Sequence, residues 1–384
     1  MFRALWFDSR VRAWWLQGLL ACGAFGGIVW LVLNARENLM RRGITVGFDF
    51  LDQAARFPIS ESLLTYQTTD SFGHAFVVGI VNTVFISVLV IAVSTVLGFA
   101  LALARRSTHP LITAIAATYV EVIRNTPLVV QLLFWYGMVT VNLPSARQAY
   151  QPLPGVFLSI RGFMFPKLAV AGNSTLFWGV VCAALLFILA VMLAKPVIRK
   201  HWKTRIPLVS IAIALAAAAV AAVLLSGLAA ASWELPYLRG LNFAGGMAFT
   251  PEFSALLIGL VLYSAAFTGE IIRGGIDAVG RGQWEAGRSL GLRPWHIMRL
   301  LILPQALRII VPPMTSQYLS IIKNTTLALA VGYPDLAFVV ATTINQTGQA
   351  IEGIVVLMAV FLTISLSVSL FMNAYNRRIS LVQR

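Results

Sequence analysis

The chain has 384 residues, of which 59% are hydrophobic and only 11% charged, with a mean hydropathy of +0.82. Soluble domains carry roughly a quarter charged residues, so this composition cannot cover itself with polar surface in water and belongs in a membrane. The net charge is +15. Its basic residues lie in loops between apolar runs, not as a stripe with interleaved aromatics on a polar domain, and this argues against nucleic acid as a partner.

About 20 apolar residues cross a bilayer as a helix. Runs of that length fall at roughly 16–33, 75–104, 111–139, 172–194, 208–231, 253–272, 309–331 and 353–375. The expectation is an all-α integral membrane protein with about eight transmembrane helices. Arg3, Arg10 and Arg12 precede the first run. No small-residue cleavage site followed by a soluble domain is evident, so the first run is expected to stay as a span. Residues 34–74 place Phe48, Phe50, Leu51, Phe57 and Leu63 among polar residues, a pattern for a short interfacial helix. Residues 140–171 contain Pro144, Pro152, Pro154 and Pro166 and are expected to be irregular. The spans at 172–231 are rich in Ala, Val and Leu, as lipid-facing packing or a scaffold would be. Cys22 and Cys182 sit inside apolar runs without metal-ligand spacing and read as small core residues.

Loop charges set the direction. One side receives Arg105, Arg106, Lys195, Arg199, Lys200, Lys203, Arg205, Arg273, Arg281, Arg288, Arg293, Arg299 and Arg308, together with the basic residues of both ends. The other side holds only Arg36, Arg41, Arg42, Arg56, Arg147, Arg161, Lys167 and Arg239. The positive-inside rule makes the first side cytoplasmic, with both termini there.

Charges inside spans are functional candidates. In the third run Glu121 and Arg124 lie three residues apart on one helix face and are expected to pair. Asn125, Thr126, Pro127 and Gln131 follow, and Pro127 should kink or open the helix. The seventh run, after Pro312-Pro313, carries Gln317, Ser320 and Asn324 on one face, with Lys323 beside them. Both tracts suit a hydrated lining for a polar solute. Helix packing for the first, and interhelical hydrogen bonds for the second, are the plainer alternatives. There is no phosphate loop G-x-x-x-x-G-K-[ST], no H-E-x-x-H and no G-x-S-x-G. The histidines at 74, 109, 201 and 296 stand singly. No catalytic residue, metal site or bound cofactor is expected, and any ATP driving this chain would be hydrolysed by another polypeptide.

Between the sixth and seventh runs, Glu285–Pro304 reads E-A-G-R-S-L-G-L-R-P-W-H-I-M-R-L-L-I-L-P. Its arginines cannot lie in hydrocarbon, so it projects from the membrane. Glu285, Ala286, Gly291, Leu303 and Pro304 fall on the pattern E-A-A, three residues, G, nine residues, I, one residue, L-P. Gly287 stands for the second Ala and Leu301 for the Ile. The segment thereby resembles the coupling loop of bacterial ABC importer permeases. The stretches 79–87, 121–137 and most of 250–375 are similar to the polar amino-acid permeases, many of which have Gly at the place of Asn125. The extra first span, the segment 34–74 and the insert 172–231 resemble the larger permease of general L-amino-acid (Aap/Bzt-type) transporters.

The resemblance implies a type I ABC importer permease core with a cytoplasmic coupling helix, in the bacterial inner membrane. It implies an N-terminal helix and external segment (1–74), a permease domain (75–375; core 75–139 and 250–375) and a cytoplasmic tail (376–384). The partners implied are ABC ATPase subunits holding ATP and Mg, a second related permease and a periplasmic amino-acid-binding protein, besides membrane lipid. Glu285, Ala286, Gly287, Arg288, Gly291, Leu303 and Pro304 would meet the ATPase. Glu121, Arg124, Asn125, Gln131, Gln317, Ser320, Lys323 and Asn324 would line the pathway for polar L-amino acids. The competing reading is an ion-coupled secondary transporter or channel using Glu121, Glu270 or Lys323, which lacks support from internal repeats.

Overall fold

The computed structural model describes residues 9–41, 47–169 and 232–379. The spans expected at 172–194 and 208–231, with Cys182, lie outside them. Five helices among the described residues are long and apolar enough to cross a membrane: Ala13–Asn34, Phe72–Arg105, Pro251–Asp277, Pro294–Ala330 and Ala350–Ala374. The first lies within α1 (Ser9–Arg41). Its residues 13–34 are all exposed, so Cys22, expected as a small core residue, lies exposed on this helix.

The chain divides into two units, 1–133 with 256–384, and 134–255. The first is helical. Its central element, α2 (Phe72–Arg105), starts at Ser71, whose hydroxyl accepts the backbone N–H of His74, an N-cap that satisfies one of the otherwise orphaned amides. α3 (Pro110–Asn125) opens on proline, and α4 (Leu128–Gly137) follows after a break. The run expected as one span is therefore two helices, parted at Thr126-Pro127 where proline offers no N–H. α5 (Pro251–Asp277) lies against α2 with backbones nearly touching: a Cβ on Gly98 would fall 2.7 Å from Thr268 Cγ2 and 3.0 Å from the Gly269 nitrogen. Then come α6 (Arg281–Ser289), the short α7 (Pro294–Ile297), a π-helical turn (Met298–Ile302) and α8 (Leu303–Asn324). α9 (Leu336–Thr347) and α10 (Ala350–Ile379) complete the unit.

Two apolar clusters hold it together. One is built from Phe50, Ala55 and Phe57 with Phe72, Ala75 and Phe76 of α2 and Leu336, Val339 and Val340 of α9. Residues 47–71 thus do not form an interfacial helix. They make one 3-10 turn (Asp49–Asp52) and fold Phe50 and Phe57 inward while Phe48 stays exposed, because the rings of α2 and the aliphatic side chains of α9 offer a drier site than a lipid surface. The second cluster joins Ala102, Ile272, Ile276, Ile297, Ile302, Ala306 and Ile310.

The second unit is rich in strands, and residues 140–169 are not irregular. β1 (Tyr150–Leu153), β2 (Val156–Ser159) and β3 (Gly162–Phe165) form a meander. β3 then pairs with β8 (Met247–Phe249). β4 (Lys167–Ala169) pairs with β5 (Ser232–Glu234), Ala169 opposite Ser232, so the chain returns beside the point where it left. β6 (Tyr237–Arg239) and β7 (Asn242–Ala244) make a hairpin.

Candidate coupling segment and pathway

The segment from Arg281 is an amphipathic helix clamped to the next one. Gly287 is buried, and a Cβ there would lie 2.9 Å from Ile297 Cγ1 and 3.1 Å from Leu301 Cδ1. Glycine at this place, where the family pattern has alanine, follows from that approach. Ile297 and Ile302 are almost wholly buried. The opposite face presents Glu285, Ala286 and Arg288, all exposed. α6 stops at Gly291, with φ +69°, where the Gly291 N–H donates to Arg288 O at 2.9 Å and the Leu292 N–H to Gly287 O at 3.1 Å. This is a Schellman ending, for which glycine carries no Cβ penalty. Leu303 is half-buried and Pro304 exposed at the start of α8.

Arg106, Arg281, Trp284, Glu285 and Arg288 line a cleft of about 330 Å³ beside α6. The Arg106 guanidinium lies over the Trp284 ring at 5.8 Å and pairs with Asp277. Asp277 also accepts from Arg273 Nη1 at 2.7 Å. Arg273 grips Glu270 through Nε and Nη2 at 3.0 and 3.1 Å, and Arg105 pairs with the same carboxylate. Arg124 Nη1 stands 4.0 Å from Glu270. One carboxylate thus ties α2, α3 and α5. Sequence reasoning raised Glu270 only for ion coupling and missed the network, although Glu270, Arg273 and Asp277 at i, i+3 and i+7 share one helical face. Glu270 is saturated by guanidinium groups and is not a free ion-coupling carboxylate.

The expected Glu121–Arg124 pair does not form. Arg124 turns toward Glu270 and over the Phe267 ring at 5.0 Å, while Glu121 remains exposed. Its long side chain finds a partly shielded carboxylate and a ring face, a better setting than a solvent-facing neighbour. Asn125 is exposed at the end of α3. Gln131 is buried and donates its amide to Ile123 O at 2.9 Å and Thr126 O at 3.0 Å, carbonyls freed by the break at Pro127. In α8, Ser320 and Lys323 are exposed, and Gln317 and Asn324 half-exposed. Tyr318 on the same helix meets Thr95 of α2 at 3.2 Å. Among the described residues, no hydrogen bond or ion pair joins the α3–α4 group to the α8 group.

Residues 187–381, about half of the chain, match the model of the binding-protein-dependent transport system inner membrane component family. The putative amino-acid ABC transporter permease YhdX of Escherichia coli is 44% identical, the alignment covering 98% of this chain and 96% of that one. The chain belongs to this family of ABC transporter permeases. The general L-amino acid transport system permease AapQ of Rhizobium johnstonii is 36% identical, over 100% of this permease and 96% of its own length. The glutamate/glutamine/aspartate/asparagine permease BztB of Rhodobacter capsulatus is also 36% identical, over 98% and 96%. A solved amino acid ABC transporter with histidines is 21% identical with a TM-score of 0.48, covering 80% of this permease and 95% of that chain. Relatives of this kind are transport components, and this permease is an integral membrane transport subunit, not an enzyme.

Proposed function

We propose that this permease imports polar L-amino acids across the inner membrane as half of a permease pair, driven by ABC ATPase subunits that dock on α6. The observation that carries the reading is the presentation of Glu285, Ala286 and Arg288 on a helix whose other face is locked onto Ile297 and Leu301. Under this proposal the helix, packed on the residues that lead into α8, passes force applied at Glu285 towards Gln317, Ser320, Lys323 and Asn324. In this reading the arginine-rich end faces the cytoplasm, ATP and Mg stay on the ATPase, and a periplasmic binding protein delivers the cargo. The names of YhdX, AapQ and BztB support amino acids as the cargo class.

The test is uptake of labelled L-amino acids into proteoliposomes holding the assembled transporter, with ATP inside. Uptake should require ATP hydrolysis and both permeases, and Lys323→Met should change affinity or substrate preference. Uptake driven by an ion gradient without ATP would overturn the reading. An unchanged uptake profile in Lys323→Met would remove that residue from the pathway.

A further inference from the structure

The strand-rich unit, residues 134–255, plays no part in the coupling argument, yet it contains a cleft of about 490 Å³ with one cationic and one anionic side chain. The cation is Arg161, in the two-residue turn between β2 and β3, where the Ser159 hydroxyl accepts its backbone N–H at 3.2 Å. The turn is fixed by Gly162, whose φ is +98° and where a Cβ would fall 2.0 Å from Phe249 O of the neighbouring β8. The anion is Glu252, in the first turn of α5, whose Oε1 accepts the Tyr136 hydroxyl at 3.3 Å. Thr140 and Asn242 add neutral polar groups to the lining, and Met164 and Phe243 an apolar wall.

Among the described residues the Arg161 guanidinium makes no ion pair or hydrogen bond, and it does not pair with Glu252 in the cleft they share. A guanidinium fork suits a carboxylate, and a carboxylate suits an ammonium. We infer that this cleft binds a free L-amino acid with an uncharged side chain, its α-carboxylate on Arg161 and its α-ammonium on Glu252. The side chain then meets Thr140, Asn242, Met164 and Phe243, where no third charge selects for or against it. A site of this kind lies on residues separate from those of the membrane pathway. The choice of ligand class rests on the amino-acid reading above, while the pairing of charges is a property of the cleft itself.

The test is saturable binding of tritiated L-glutamine, L-serine and L-leucine to the full-length permease in nanodiscs, without ATPase or binding protein. Arg161→Met and Glu252→Gln should each weaken the tightest of these by about tenfold or more, the loss expected when one charge of a paired ligand is left unmet. N-acetyl-L-glutamine, lacking the ammonium, and 4-aminobutanamide, lacking the carboxylate, should not compete. Arg239→Met, outside the cleft, should bind as the unaltered permease does. Arg161 is exposed in a turn, so its replacement keeps the test open even where Glu252→Gln disturbs folding. Two results overturn the inference: no saturable binding of any of the three amino acids, or binding that Arg161→Met leaves unchanged. Either can occur while ATP-driven uptake by the assembled transporter is intact, so failure here is distinguishable from failure of the import reading.

Discussion

Replacing Asn82 by leucine removes the polar clamp at the junction of three segments. Asn82 is 1% exposed, and its Nδ2 donates to Glu61 O at 2.8 Å and to Pro334 O at 2.9 Å. Next to it the Thr83 hydroxyl accepts the Leu336 N–H at 3.0 Å, so α2 holds both residues 47–71 and the entry to α9. Each hydrogen bond contributes about 1 kcal/mol net, and a carbonyl left buried without a partner costs about 1–3 kcal/mol. The Glu61 carbonyl belongs to a half-buried residue and can turn to water, whereas Pro334 is buried. Asn82→Leu should therefore cost roughly 3–5 kcal/mol, once both lost bonds and the Pro334 orphan are counted. Asn82→Asp should cost more, because a carboxylate would face two carbonyl oxygens close to Asp335. Thermal midpoints of the detergent-purified permease, read by fluorescence size-exclusion chromatography, should fall in the order unaltered, Leu, Asp. Thr95→Val, which removes a half-buried contact to Tyr318 and a bond to Ile91 O of its own helix, should fall least. A midpoint for Asn82→Leu within roughly 1 °C of the unaltered permease, where a few kcal/mol should shift it by several degrees, would refute the clamp.

Other outcomes follow from charged groups. Asp335 caps α9, its Oδ1 accepting the Phe338 N–H at 2.9 Å, and burial pushes its carboxyl from 3.8 up to about 7 against the pull of backbone N–H groups. The folded chain then keeps a proton that the unfolded chain has already lost, so stability is highest at low pH. It falls as pH rises between about 4 and 7. Asp335→Asn keeps the cap and should flatten the midpoint-versus-pH curve in that window; an unchanged slope would contradict the assignment. Glu270→Gln leaves Arg105, Arg124 and Arg273 without their shared carboxylate. Breaking a partly buried pair in this way is costly, so expression or thermal midpoint should drop, while Glu121→Gln, at an exposed residue with no ion pair among the described residues, should change neither. Equal behaviour of the two variants would remove the network from the account.

How much was legible in the sequence depended on the range of each interaction. The break at Pro127 and the turn at Gly291 come from backbone chemistry within a few residues, and both stand in the structure. The pairing of β4 with β5 joins residues on either side of a long insert, and no local pattern announces it. The β2–β3 hairpin did leave a signal, apolar residues either side of Ile160-Arg161, but four prolines nearby suggested irregularity instead. Arg124 shows the limit of spacing arguments. Helical geometry puts it on the same face as Glu121, yet its reach brings it to a third element holding a better-shielded carboxylate. Gln131 is similar: polar at membrane depth, it read as pathway lining, while its amide closes carbonyls that the proline had freed.

The most direct test of the account is Glu285→Arg. Glu285 is exposed and makes no hydrogen bond or ion pair among the described residues, so the substitution should leave the amount and thermal midpoint of the permease unchanged. With the contact to the ATPase reversed in charge, the ATPase should no longer copurify with the permease and ATP-driven amino-acid uptake should be lost. Copurification and uptake at the unaltered level would contradict the assignment of α6 as the point where ATP hydrolysis grips this protein.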